Sequence, residues 1–271
     1  MPSAGGGSTG GGGGGGSSAN LSGNPPLDFR LPNWPVRDQG DRGTCVAFAT
    51  TACYEQFLGN AQLDLSEQFL YWAIKVPVGD GRPGQDGTWF DFARQALTSE
   101  GICAETLWPY SGVALPTNIS RADANNPSQA AITDAATRLY GAALCQSNGN
   151  AATLYSTMQS RNRPVGISVP VFADPANQSN DNWNTTMGQV YGRIFDPPPT
   201  SVVVGGHAVC ITGFEPDPLE QTGGWFIVRN SWGDQNWGAS LPDPAHFGPE
   251  PGYGQISATY VDSFLWELFA M

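Results

Sequence analysis

Gln39-Gly40-Asp41-Arg42-Gly43-Thr44-Cys45-Val46-Ala47-Phe48 is a glycine-rich loop that runs into a cysteine, and the cysteine opens an apolar run. The run continues to Leu58 and meets Gly59. That pattern predicts a helix beginning at Cys45. Thr44 is its expected N-cap, the hydroxyl accepting a free amide of the first turn, and Gly59 its C-terminal cap. Tyr54, Phe57 and Leu58 extend an apolar face, as expected of a central, buried helix. Cys45 then lies in the first turn, where the helix dipole favours negative charge. A thiol there is biased toward thiolate, its nucleophilic form.

The other end of the chain supplies partners for such a thiol. Gly205-Gly206-His207-Ala208-Val209-Cys210-Ile211-Thr212-Gly213-Phe214 reads as a buried strand led by a histidine. Gly224-Trp225-Phe226-Ile227-Val228-Arg229-Asn230-Ser231-Trp232-Gly233 is a second strand, ending in an asparagine between tryptophans. A cysteine, a histidine and an amide in that order suit thiol-based acyl transfer.

These stretches, with Leu65-Ser66-Glu67-Gln68 and Trp108-Pro109-Tyr110, resemble the papain family of cysteine peptidases, most nearly its bacterial members. The matching blocks run in family order from Val36 to Gly254. His207 follows Cys45 by 162 positions and Asn230 by 185, beyond the roughly 130–150 typical of the family, which points to insertions. The resemblance implies an α+β fold, with a helical left half, a β-barrel-like right half and the active-site cleft between them. It implies Cys45 as nucleophile, His207 as its paired base and later acid, and Asn230 as the group that orients His207. Gln39, with the Cys45 N–H, would form the oxyanion hole. Gly87 and Gly206 would meet substrate backbone, and Trp232 would cover the His207–Asn230 contact. The implied activity is endopeptidase hydrolysis through a thiolate–imidazolium pair and an acyl-enzyme. The same fold acting as an exopeptidase, an acyl transferase or an inactive peptide-binding module is the alternative. The implied partners are a protein or peptide substrate and a proteinaceous inhibitor or propeptide outside this chain; no metal or organic cofactor is implied. The sequence departs from the pattern at Arg42, where a bridging cysteine is common, at Val46, where tryptophan is common, and at Asp86-Gly87, which stands for a glycine pair.

Composition narrows the class. The chain has 271 residues, 40% hydrophobic and 11% aromatic, which argues for a folded globule. A formal charge of −12 argues against a nucleic-acid surface or a basic membrane patch. No apolar run is long enough to span a membrane. Met1-Pro2-Ser3-Ala4 followed by glycines reads as no secretory signal, and the compartment stays open. Cys45, Cys53, Cys103, Cys145 and Cys210 make an odd count, which fits one reactive thiol and up to two bridges. Cys210, alternating along its strand, reads as core.

The remaining organisation is read from punctuation. Residues 1–24, mostly Gly and Ser, are expected to be a flexible tail, and 25–271 the catalytic domain, with a helical half near 40–130 and a β-rich half near 150–271. Residues 25–38 read as extended. A second helix is expected from Ser66, its cap, to Lys75, with Pro77 as a stop, and a third over Thr88–Ser99. Residues 111–150 read as short helices of uncertain extent. Ala151–Ser160 reads as helix and Pro164–Val171 as strand. Residues 173–200 and 239–252, the latter holding His246 as a surface residue, read as long loops. Gly252–Tyr260 reads as strand and Val261–Phe269 as an apolar tail packed on the body.

Overall fold

The computed structural model describes residues 19–60, 62–82, 84–111, 126–239 and 250–271. The expectations for residues 1–18, 112–125 and 240–249, His246 included, lie outside the described residues.

Helix α1 spans Cys45–Leu58, and every residue from Cys45 to Glu55 is buried. A helix that is apolar all round has no solvent face to spare, so it becomes the centre of a core. Gly59 closes it in the left-handed conformation at φ 68°, donating its N–H to the Gln56 carbonyl. Two local expectations fail. Thr44 makes no side-chain cap; its hydroxyl is taken by the Tyr110 hydroxyl at 2.8 Å. Leu58 is exposed, because the helix leaves the core in its last turn.

Helices α2 (Glu67–Ala73) and α3 (Phe90–Ser99) pack beside α1. Ser66 caps α2, accepting from the Phe69 N–H at 3.0 Å. Pro77 does not stop this helix; α2 runs on into a π-helical turn at Ile74–Val78 that contains it. Next come α4 (Gln129–Ala135), β2 (Leu144–Ser147) and α5 (Ala151–Arg161). Residues 173–200, expected as loop, carry the end of β3 (Val165–Asp174), then β4 (Asn177–Asp181), α6 (Thr186–Tyr191) and β5 (Arg193–Ile194). The chain ends in β6 (Val202–Pro216), β7 (Gly224–Arg229), β8 (Tyr253–Ser257), α7 (Ala258–Phe264) and β9 (Glu267–Ala270). So Val261–Phe269, expected as a tail, is a helix followed by a strand.

With β1 (Leu27–Asp28), the described strands form one nine-stranded sheet. Its main path runs β2-β9-β3-β6-β7-β8-β5, with β1 on β6 and β4 on β3. The fold is α+β as expected, but the sheet is open and not a closed barrel. The outer strands β2 and β5 carry different partners and never pair with each other.

β6 is the strand that joins the halves. Successive side chains of a strand point to opposite faces. Ala208 and Cys210 enter the core built on α1 to α4, and Val209 and Ile211 enter the core shared with α5 and α7. Burial on both faces is why this stretch reads as an unbroken apolar run.

The entry segment is anchored by charge. Trp34 donates its Nε1–H to Glu55 at 2.9 Å, and the guanidinium of Arg229 lies 4.1 Å from the Trp34 ring centre. Arg229 also donates to the carbonyls of Trp34 and Pro35. Residues 19–24, expected within the tail, lie on the body: Leu21 is buried and its N–H donates to the Thr222 carbonyl at 2.8 Å.

All five cysteines are free thiols in this structure, where the odd count allowed up to two bridges.

Candidate active site

Cys45 opens α1, and His207 lies in β6 opposite Val169 of β3. Helix α1 packs on β6, which brings residues from distant parts of the sequence to one groove. The groove has a volume of about 420 Å³ and is lined by Cys45, Gly87, Trp89, Gly206, His207 and Trp266, among others. Burial and the backbone amides of Ala208, the residue after His207, of Val46 and of Cys45 itself act on the Cys45 thiol in opposite directions. Those amides pull its pKa down, yet burial outweighs them and pushes the thiol up. This runs against the thiolate bias expected from the helix terminus alone. The dipole acts here on a group already stripped of water.

His207 is buried, and burial pulls its imidazole down to about 4. Its Nε2 lies 2.7 Å from Asn230 Oδ1. The Ser231 N–H also donates to that Oδ1 at 2.9 Å, so the atom facing the ring is an acceptor. Nε2 therefore carries the hydrogen, and Nδ1 keeps the lone pair. Asn230 directly follows the last residue of β7, where the chain leaves the sheet. Trp232 stacks on the imidazole at 4.7 Å between ring centres and 26° between planes. Trp183 meets the imidazole edge-on at 4.9 Å and 86°. Trp183 was not anticipated. It sits between β4 and α6, in a stretch whose Asn, Asp and Pro content reads as loop.

Gln39 is buried beside the start of α1. Its Nε2 donates to the Arg42 carbonyl at 2.7 Å, and its Oε1 accepts from the Ser231 hydroxyl at 2.6 Å. The amide is thus held at both ends, with one Nε2 hydrogen left over. Ser231 has no role in the sequence reading; in the structure it touches both Gln39 and Asn230.

Gly87 lines the groove, but its backbone is engaged within the chain. Its N–H donates to the Gly43 carbonyl at 2.8 Å, and its carbonyl accepts from Lys75 Nζ at 2.7 Å. Lys75 also binds Asp80 at 2.6 Å and the Gln85 carbonyl at 2.8 Å, pinning the loop before α3. Gly206 lies under Trp266; a Cβ there would come within 2.6 Å of the indole, so only glycine lets that ring lie against the strand. Among the described residues no cluster of His, Cys, Asp and Glu could hold a metal ion.

A family model described as papain family cysteine protease matches residues 25–240. Cathepsin J of Rattus norvegicus is 25% identical over 75% of this chain and 54% of its own length. Zingipain-2 of Zingiber officinale is 26% identical over 76% of this chain and 79% of its own. The chain thus spans about half the length of the rat relative. Among solved structures, xylellain, a cysteine protease from Xylella fastidiosa, superposes with a TM-score of 0.67 at 21% identity, covering 90% of this chain and 84% of xylellain.

Proposed function

The chain belongs to the papain family of cysteine proteases, and on that premise we propose that it is an endopeptidase using Cys45, His207, Asn230 and Gln39. Residues 25–271 are the catalytic unit in this reading. The observation that supports it is the groove that Cys45, at the head of α1, and His207, on β6, line together.

Burial opposes charge on either partner alone, since it raises the thiol and lowers the imidazole. Passing the proton from sulfur to Nδ1 creates two opposite charges together, and each offsets the other's loss of water. The thiolate then attacks the substrate carbonyl carbon. The spare Nε2 hydrogen of Gln39 and the Cys45 N–H hold the resulting oxyanion. His207 returns its proton to the leaving amine, and water, deprotonated by the same ring, releases the acyl group from sulfur. Asn230 keeps the Nε2–H tautomer throughout. Trp232 and Trp183 exclude water from that hydrogen bond. Gly206 and the loop pinned by Lys75 wall the groove that takes the peptide.

A bromelain from Ananas comosus, similar in fold at a TM-score of 0.55, was solved with the inhibitor E64, which suggests the test. The wild-type protein is expected to cleave an end-blocked peptide at an internal bond and to gain one E64 adduct on Cys45 by mass spectrometry. The Cys45→Ala variant is expected to do neither. Cleavage by Cys45→Ala would overturn the mechanism, and release only of terminal residues from unblocked peptides would overturn the endopeptidase assignment.

A further inference from the structure

Two thiols stand outside the proposed chemistry and against each other. Cys53 lies on α1 two turns beyond Cys45, and Cys210 lies on β6 three residues beyond His207. Their sulfur atoms are 3.6 Å apart, and each residue is 1% exposed. Cys210 is held in mid-sheet, opposite Gly166 of β3 and Arg229 of β7. Cys53 is held by a helix buried through Glu55. A disulfide needs the sulfurs to close to about 2.05 Å, a movement that side-chain rotation can supply when the backbones already meet. Neither Cys103 nor Cys145 has a thiol partner of this kind. Cys103 sits beside Ser66, and Cys145 beside Glu267.

We propose that Cys53 and Cys210 are a disulfide site, joined under oxidising folding conditions, that ties the helix bearing the nucleophile to the strand bearing the histidine. The oxidant is a low-molecular-weight disulfide such as glutathione disulfide. The thiolate of one cysteine attacks a sulfur of that disulfide, the S–S bond breaks, and one thiolate leaves and takes up a proton. The second cysteine's thiolate then attacks the protein sulfur of the mixed disulfide and expels the other small thiol. Two electrons and two protons pass from the cysteine pair to the small disulfide, which ends as two thiols. Because both sulfurs are sealed once α1 packs on β6, the exchange happens in the incompletely folded chain. The finished bond is thereafter shielded from reductant. It spans 157 positions, so it removes much of the freedom of the unfolded chain.

The test refolds the full chain either with a glutathione and glutathione disulfide mixture or with dithiothreitol. A brief dithiothreitol pulse on the folded protein then clears mixed disulfides from exposed thiols. Alkylation in denaturant without reductant, followed by peptide mass mapping, counts what is left. The oxidised preparation is expected to show alkyl groups on Cys45, Cys103 and Cys145 and one linked peptide pair containing Cys53 and Cys210. The reduced preparation is expected to show five alkyl groups. The thermal midpoint of the oxidised form is expected to exceed that of the reduced form by roughly 5–15 °C. In Cys53→Ala and Cys210→Ala that gain is expected to vanish. Five alkylated cysteines after oxidative refolding, or a link between any other pair, would overturn the proposal. The wild-type mass map decides even if the alanine variants do not fold, and it requires no peptidase activity.

Discussion

His207 sits in a socket of two indoles and a carboxamide, and its behaviour follows from what that socket withholds. The ring is cut off from water, so protonation without a counter-charge is unfavourable, and its pKa falls to about 4. Removing the thiol isolates this effect. In Cys45→Ala, NMR is expected to show His207 titrating near 4 instead of near 6.5. Between those values the unfolded chain takes a proton that the folded ring refuses, so stability from this site is lost as pH falls from about 6.5 to about 4. Compared with Cys45→Ala/His207→Gln, the Cys45→Ala chain is expected to lose roughly 3 kcal/mol between pH 7 and pH 4 in urea unfolding. Glu105, pushed up to about 7 by burial, acts in the opposite direction; both chains carry it, so it cancels. Asn230 contributes by orientation. Asn230→Ala removes one hydrogen bond to an imidazole that becomes charged, worth about 1.5–3 kcal/mol. Its kcat/KM is therefore expected to fall about 10- to 100-fold, with the E64 adduct on Cys45 forming more slowly but still forming.

At the scale of elements, the loop into α1 is held by a side chain where the family commonly places a cysteine. Arg42 is buried between the rings of Tyr71 and Tyr110, 5.4 and 5.1 Å from their centres. It donates to Gln68 at 2.8 Å and to the Ser111 carbonyl. This guanidinium ties the loop carrying Gln39 to α2, and to the segment whose Tyr110 occupies the Thr44 hydroxyl. Arg42→Ala removes the hydrogen bonds and both ring contacts, and a loss of about 3 kcal/mol in unfolding free energy is expected. Arg42→Lys should recover little of it, since an ammonium cannot stack flat between two rings. Local sequence signals sufficed where the physics was local: Ser66 and Gly59 cap as their chemistry dictates. They failed at Thr44, where a residue 66 positions away competes for the hydroxyl, and at Pro77, which the chain absorbs in a π turn.

Across the whole molecule, the order of Gln39, Cys45, His207 and Asn230 was legible from short local signals: a glycine-rich loop for Gln39, an apolar helical run opened by Cys45, and apolar strands beside His207 and Asn230. Laying α1 on β6 brings Cys45 and His207 to one groove. Trp183 and Ser231 were not legible, because their roles come from contacts between elements remote in sequence. The expected division near residues 130–150 is also weaker than it reads. The core around α1 to α4 is completed by Ala208, Cys210, Phe269 and Met271 from the other half. Phe90 of α3 stacks on Phe269 of β9 at 5.5 Å and 13°. A fragment ending at residue 139 is therefore expected to show no cooperative thermal transition by near-ultraviolet circular dichroism. Co-expression with 140–271 is expected to restore one.

β9 carries a consequence for synthesis on the ribosome. It is inserted between β2 and β3, although it is the last strand in sequence. Until residues 267–270 clear the exit tunnel, two earlier strands each present an unsatisfied edge toward the gap. A nascent polypeptide stalled short of that point therefore holds β6, with its histidine, in a sheet whose neighbouring strand β3 still lacks its partner on the other side.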